Sequence, residues 1–527
     1  MAEKFDVIVK RIANEYVNSI LFVDEQAFSP SSGSSVPRNK QKELDVTAVS
    51  QAFSNAGKIC GFFAPKTLED IEKCKQLILK PDIVVLDWDI QIDRVFSKEE
   101  ESQDDETDDR GHYSVELIRS ITSDAKDKKL KVIFVYTGEI GLHGIVSTIV
   151  DSLGDGFIAD EDRFEVSSGN IHIIIRLKPD SNVGHIGLDG FKVSYADLPK
   201  AVMDAFSKYV SGLMPCFAMS AMSAIRDCAA RVLQVYNSEL DAELLGHQLA
   251  LSNPNDAKSY LTNSFGSAVS ELILDNPSIN TDNWVEEWID SRFSSGAESR
   301  DFIDTRISLT PSSVKDFFSK RLSTGTLTER FNEAFKVNSK AGKDKISKKL
   351  STLFHKEGDD VERAKYLFAA LAHHKNIFTN HITAPILTQG TIIKRNTDYY
   401  LCIQQRCDTV RVKSSGLDFV FVPLYGKENK KPSLGAIALG ANDVRYIQRS
   451  SVNVKTIHFS PSQDGHPIVA NLVDGKFVFT NAVGEYEWVN ELKDIFAQRI
   501  VTALTSHFSR VGVDEAEWLR IEGSDAG

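Results

Sequence analysis

Four apolar runs of strand length each end in a side chain that can do chemistry. Ile20-Leu21-Phe22-Val23 delivers Asp24 and Glu25, and Ile83-Val84-Val85-Leu86 delivers Asp87. Val132-Ile133-Phe134-Val135-Tyr136 delivers Thr137 and Gly138, and Ile173-Ile174-Ile175-Arg176-Leu177 delivers Lys178 ahead of Pro179. In an open parallel α/β sheet the carboxyl ends of the strands line one crevice, where ligands bind. Carboxylates, a hydroxyl and a lysine would then converge on one spot. A carboxylate attacks a phosphoryl group poorly unless charge repulsion is relieved, and clustered carboxylates suit a hard, oxygen-seeking cation such as Mg2+. A lysine and a hydroxyl beside them can hold phosphoryl oxygens.

This set, with Leu86-Asp87-Trp88 and with Gly111 ahead of the amphipathic stretch from Tyr113 to Ser120, resembles the active site of a response-regulator receiver domain. Such domains accept a phosphoryl group on aspartate from a histidine kinase. The resemblance covers residues 15–182 and implies a flavodoxin-like fold, a doubly wound parallel five-stranded sheet. It implies Asp87 as the nucleophile that forms an acyl phosphate, Lys178 as the ion-pair partner of the phosphoryl oxygens and Thr137 as a hydrogen-bond donor. Mg2+ would be held by Asp24, Glu25 and Asp87, with the backbone carbonyl of Asp89 as a further ligand. Asp89 and Glu139 follow the acceptor and the hydroxyl at positions that in receivers tune the attack of water on the acyl phosphate.

The chain also departs from the receiver pattern. Glu25 is one methylene longer than the usual aspartate, and Ile175 stands where many receivers carry an aromatic switch residue. Insertions are expected at the Ser/Pro/Gly stretch Ser29 to Lys40, at the acidic stretch Ser97 to Arg110 and around Gly154 to Asn170. Blocks of like charge repel and stay solvated, so the acidic stretch reads as a surface loop. Its functional alternative is a gate that repels anions or docks a basic partner face.

At 527 residues the chain has room for about three domains. A net charge of −13, from 61 basic and 74 acidic residues, argues against bulk attraction to nucleic acid. The cysteines, Cys60, Cys74, Cys216, Cys228, Cys402 and Cys407, are scattered through apolar runs and form no dense framework, which fits a reducing compartment. Residues 1–20 lack a signal-peptide core, and no apolar run approaches the ~20 residues that span a bilayer. A cytoplasmic location is expected.

The spacing suggests a receiver at 1–195, an α-helical domain at 196–384 and a β-rich module with a terminal helix at 385–527. Helical periodicity runs from Leu198 to Leu251 and recurs at Ala257–Leu274, Trp284–Arg292, Ser312–Arg321, Lys343–Phe354 and Val361–His374. The basic stretch Lys336 to Lys345 is broken by Gly342 and reads as a loop; His373, His374 and His381 read as caps or surface residues. Short β-type runs follow at Gly390–Ile393, Tyr399–Ile403, Thr409–Val412, Phe419–Leu424, Val454–Phe459 and Lys476–Thr480, then a helix at Asn490–Ser509. A small barrel-like α+β module is the economical arrangement. Cys407 beside Asp408 lacks a visible base, and a buried thiol is expected there.

The receiver, the helical middle and the motifs Tyr399-Tyr400-Leu401-Cys402-Ile403, Cys407-Asp408 and Glu517-Trp518-Leu519-Arg520 together resemble large receiver proteins of bacterial antiphage systems of the Detocs type. Some of these systems carry a second receiver without an enzymatic effector, and this chain resembles that one. The resemblance implies a cognate sensor histidine kinase, a sister effector receiver and a role as phosphate sink, with no enzymatic activity beyond self-catalysed phosphotransfer and dephosphorylation. The alternative is an output regulator whose C-terminal β module binds a partner or nucleic acid. A third reading is an enzyme that uses Cys407 or the C-terminal histidines.

Overall fold

The computed structural model describes residues 4–28, 44–92, 110–125, 130–181, 187–251, 255–322, 325–375, 377, 384–426, 433–448 and 454–508. The stretch 29–40, residues 97–109, His381 and the motif Glu517–Arg520 lie outside them. The chain divides into two compact units, Met1–Lys343 and Asp344–Gly527.

In the first unit the apolar runs become strands β1 (Ser19–Val23), β2 (Ile59–Phe63), β3 (Ile83–Leu86), β4 (Lys131–Thr137), β5 (Ile158–Asp160), β6 (Glu165–Ser168) and β7 (Ile171–Leu177). They form one sheet in the order β2-β1-β3-β4-β7-β6-β5. β2, β1, β3, β4 and β7 run parallel, while β6 and β5 are antiparallel additions. The expected five strands are therefore seven. The insertion at Gly154 to Asn170 folds as a hairpin, and Gly169 takes a φ of +55° in the tight turn that returns the chain into β7.

Helices cover both faces because β1, β3 and β4 are apolar on each side, as parallel strands must be when both faces are buried; β7 sets His172 and Arg176 beside Ile174 on one of its faces. One face carries α3 (Leu68–Leu77), α4 (His112–Ala125) and α5 (Leu142–Leu153), which bury Ile71, Ile118 and Ile145 against Val84, Ile133 and Ile173. The other carries α1 (Phe5–Tyr16), α2 (Val46–Asn55), α6 (Leu198–Tyr209) and α7 (Leu213–Asp227). Local signals start these helices: Asp45 caps α2, and Thr67 with Asp70 closes a capping box on α3. The end of α1 is held by side chains from elsewhere. Lys58 donates to the carbonyls of Asn14 and Val17, and Arg226 of α7 donates to those of Glu15 and Tyr16.

The unit continues through α8 (Ala229–Val235), α9 (Asp241–Ala250), α10 (Asn255–Leu274), α11 (Thr281–Arg292), the hairpin β8 (Glu298–Phe302) and β9 (Thr305–Leu309), α12 (Pro311–Ser319) and α13 (Leu327–Phe335). Trp284 of α11 reaches into the same cluster as Ile8, Val202 and Met219, so the second layer on the sheet is built partly from residues well beyond β7. The β8–β9 hairpin interrupts a region that periodicity reads as mostly helical.

In the second unit α14 (Lys343–Lys349), which starts at the division, and α15 (Val361–His373) precede β10 (Thr391–Arg395), β11 (Asp398–Cys402), a turn of helix α16 (Arg406–Thr409), β12 (Leu417–Leu424), β13 (Ser433–Ala438), β14 (Val444–Gln448), β15 (Lys455–Phe459), β16 (Asn471–Val473), β17 (Lys476–Asn481), β18 (Gly484–Glu491) and α17 (Asp494–Phe508). The antiparallel order β15-β12-β11-β10-β18-β17-β16 makes a curled sheet of seven strands, with β13–β14 as a separate hairpin. α17 lays Phe496, Ile500 and Leu504 on one face, against Ile392, Leu401 and Val422. Two expectations are corrected. Thr409–Val412 is no strand: Thr409 ends α16 and only Val412 makes an isolated bridge, to His466. Cys407, expected to be buried, is exposed. His374 caps the end of α15, as a cap reading expects, and is buried, with Nδ1 2.9 Å from Asn490 Nδ2; His373 stacks on Phe496 at 3.6 Å.

The shared core yields a prediction. Trp284→Ala removes a side chain only 2% exposed from the cluster under the sheet, and truncations of this kind cost about 3–5 kcal/mol. Urea unfolding followed by circular dichroism should show the loss in the transition that melts the parallel sheet. An unchanged midpoint would mean that α11 docks without supporting it.

Candidate functional site

The parallel order brings β1, β3, β4 and β7 side by side, so the residues that follow them meet at one end. The ladder continues one residue past the strands: Asp87 N donates to Val23 O at 2.9 Å and Lys178 N to Thr137 O at 2.8 Å. Asp24, Glu25, Asp87, Thr137 and Lys178 are all buried, with Lys178 fully enclosed. Lys178 Nζ lies 2.8 Å from Asp24 Oδ2 and 3.4 Å from Asp87 Oδ1. The structure thus brings together the acids of β1, the acid of β3 and the lysine of β7.

Each side chain is held in place. Asp24 Oδ1 accepts from Gln26 N at 2.8 Å, and Asp87 Oδ1 accepts from Trp88 N at 3.0 Å. Thr137 Oγ1 accepts from Glu139 N at 3.0 Å, which orients the hydroxyl at the end of β4. Asp89 is buried and accepts from Gln91 Nε2 at 3.2 Å. Glu139 lies 3.7 Å from Arg110. Sequence reasoning missed Ser114, whose hydroxyl bonds to the carbonyls of Asp87 and Trp88 at 2.7 Å each. A serine one turn into a helix carries no signal of such a task. Gly111 has φ +82°, and a Cβ there would sit 2.2 Å from the Trp88 ring. The close approach of helix α4 to Trp88 at the end of β3 therefore needs glycine at this position.

The charge balance is uneven: three carboxylates face one lysine. Burial, then Asp87 and Asp24, pushes the Glu25 carboxyl up to about 8. Burial raises Asp87 to about 7, with Lys178 opposing and Asp24 reinforcing the shift. Burial works against the Lys178 ammonium, yet Asp87 and Asp24 overcome it and hold its proton more firmly than usual. Ligand oxygens of Asp24, Glu25 and Asp87 all lie within 4.8 Å of one another. Glu25 Oε2 is buried with no hydrogen-bond partner among the described residues. An all-oxygen donor set, excess negative charge and an orphaned carboxylate oxygen fit a hard divalent cation of the Mg2+ type.

Ile175 is buried in the core under α3, α4 and α5, with Phe164 in the same cluster. Its N–H bonds to the Phe164 carbonyl of the β5–β6 turn at 3.0 Å. An inserted segment thus packs over the position where the aromatic switch of other receivers would be. No helix of the described residues is long and apolar enough to cross a membrane.

No curated protein and no solved structure matches the chain. Residues 16–183 match the family described as Response receiver domain. With β1, β3, β4 and β7 delivering two adjacent acids, a further aspartate, a threonine and a lysine to one buried pocket, this segment is a response-regulator receiver domain.

Proposed function

We propose that this protein takes a phosphoryl group onto Asp87 from a cognate histidine kinase, and that it serves as a phosphate sink in a two-component system of the antiphage Detocs type. The observation that carries the acceptor assignment is the contact of Lys178 with Asp24 and Asp87, 2.8 and 3.4 Å, inside a pocket of buried acids. Asp87 Oδ attacks phosphorus of the donor phosphoimidazole; the O–P bond forms as the P–N bond breaks, and the electron pair leaves with the imidazole, which takes up a proton. Lys178 moves from neutralising carboxylates to pairing with the phosphoryl oxygens, and Thr137 donates its hydroxyl proton to one of them. Asp24, Glu25 and Asp87 would hold Mg2+, which when bound offsets the repulsion between the carboxylate and the incoming group. Water then cleaves the acyl phosphate, restoring Asp87 and releasing phosphate, a step that Asp89 and Glu139, two residues beyond Asp87 and Thr137, would tune.

The sink role is supported by Ile175 in place of an aromatic switch and by the packing of Phe164 over that position. On this reading the chain works in the cytoplasm, competes with a sister effector receiver for one kinase and has no enzymatic output of its own. The alternative, an output regulator acting through its second unit, differs in one test. In cells carrying the whole system, Asp87→Asn should make the pathway fire without a stimulus if the protein is a sink. Loss of output without toxicity would make it the output arm.

Two predictions concern the purified protein. Acetyl phosphate with Mg2+ should label wild-type protein in a hydroxylamine-labile form, Asp87→Asn not at all and Thr137→Ala at least tenfold more slowly. Labelling of Asp87→Asn at the wild-type rate would remove Asp87 as acceptor. The second concerns pH. Glu25 and Asp87 hold protons in the folded, metal-free state up to about 8 and about 7, above their ordinary values of 4.5 and 3.8. The fold therefore binds more protons than the unfolded chain between those limits, and stability falls as pH rises through that window. In EDTA the melting temperature should drop from pH 6 to pH 8.5. Glu25→Gln should flatten the drop, and Mg2+ should restore the wild type more than the variant. A flat wild-type profile would show that burial and the neighbouring acids do not hold protons on Glu25 and Asp87.

A further inference from the structure

The helical stretch that follows α7 has almost no core of its own. From Cys228 to Asn280 one residue, Ala257, is buried among the described residues. The twelve residues of α1, by comparison, bury five. Large apolar side chains are present all along the stretch, but they stand in solvent. Leu233 and Val235 of α8, Leu245 and Leu249 of α9, and Tyr260 and Leu274 of α10 are between 57% and 86% exposed. Even Leu261, Val269 and Leu272, on the opposite side of α10, are only half-buried. Ordering a backbone costs conformational entropy that burial normally offsets. Among the described residues these three helices lack that offset.

The helices are joined into one surface. The Tyr236 ring, just past α8, meets Phe265 of α10 edge-on at 5.6 Å, and its hydroxyl lies 3.3 Å from Ser264 Oγ. His247 of α9 packs on Tyr260 at 4.8 Å. The six exposed side chains alone present on the order of 800 Å², about what each partner contributes to a stable interface of standard size. Soluble monomers rarely leave so much apolar surface open in one region. The charges decide what fits it. Ser259 to Ser270 contains no charged residue, in a chain of which 26% is charged. Charge is kept to the margins: Glu239, Asp241 and Glu243 around the start of α9, and Lys258 and Glu271 beyond either end of the neutral run.

We propose that α8, α9 and α10 form a homodimer interface, in which a second copy of this chain supplies the core that these helices lack. A contact across a two-fold axis sets a patch against its own copy, so a charge at its centre meets its like. The neutral run of α10 satisfies that condition, with a polar margin around it. A membrane surface would call for lysine and arginine around the apolar face, and here the margin is mostly acidic. A charged peptide would call for opposite charges within the face, and the neutral run has none. The interface lies outside the receiver segment, and dimerisation requires no phosphoryl group on Asp87.

The test is sedimentation velocity of the full-length, unphosphorylated protein over a dilution series from about 0.1 to 50 μM, across which mass action separates dimer from monomer. The wild type should run at twice the chain mass at the top of the series. Leu249→Lys and Leu274→Lys each place a charge in the contact and should raise the dissociation constant at least tenfold. Both positions are more than four-fifths exposed, so the fold tolerates the change, and circular dichroism should report it intact. Leu68→Lys and Leu472→Lys, at exposed apolar positions of α3 and β16, should leave the dimer unchanged. Hydrogen exchange should show the amides of Tyr260 to Leu274 more protected in the wild type than in Leu249→Lys. A wild type that stays monomeric throughout overturns the proposal and leaves the face to another part of the chain or to a different partner. A dimer indifferent to Leu249→Lys and Leu274→Lys, or one broken by Leu68→Lys, overturns it too. Labelling of Asp87 by acetyl phosphate is read separately, so failure here leaves the phosphoacceptor assignment standing.

Discussion

One buried ammonium facing three buried carboxylates is the constraint on which the receiver pocket rests. Lys178 is fully enclosed and touches Asp24 and Asp87. A lysine left unpaired in such a place would lose its proton, and acids without it would repel one another and strain the strand ends. The parallel register sets the separation of those ends, because β1, β3, β4 and β7 are hydrogen-bonded in consecutive positions. The pocket and the sheet therefore specify each other. The charge that remains uncompensated is what suits the site to a cation and to a group that brings its own chemistry.

The pocket was legible in the sequence because each strand ended on a polar side chain after a largely apolar run. A buried parallel strand needs residues that are apolar on both faces, so the first polar position marks its end. Asp24 and Asp87 follow that rule directly, while Lys178 is reached past Arg176, which lies within β7. Ser114, by contrast, acts through a hydroxyl on a helix, and its role comes from how closely α4 approaches β3 past Gly111. That approach is a tertiary fact with no periodic signature. The same limit hid the reach of Trp284 into the sheet's second layer, since its pattern reads only as an amphipathic helix.

The second unit was less legible for a different reason. β13, β14, β16 and β18 are short or half-exposed strands, and alternation over few residues hardly differs from a loop. Val410, Arg411 and Val412 have β propensity, yet the chain turns through α16 just before them. Local preference yields there to the need to bring Val412 under the curled sheet, where it packs with Phe419 and Phe459. Cys407 was carried to the surface by the same turn.

The hairpin of β5 and β6 also decides what the sheet shows to other molecules. β7 contains Ile171, Ile173, Ile174 and Ile175, and as an outermost strand it would offer a long isoleucine-rich template to any unfolded chain nearby. Such exposed edges seed intermolecular sheets and fibrous aggregates. Pairing with β6 buries that row, and the outermost place passes to β5, three residues long and ending in Asp160. Glu161 and Asp162 follow at once, so the free margin is short and acidic. The insertion that lengthens the receiver thereby covers the edge of a strand with four isoleucines that would otherwise lie open.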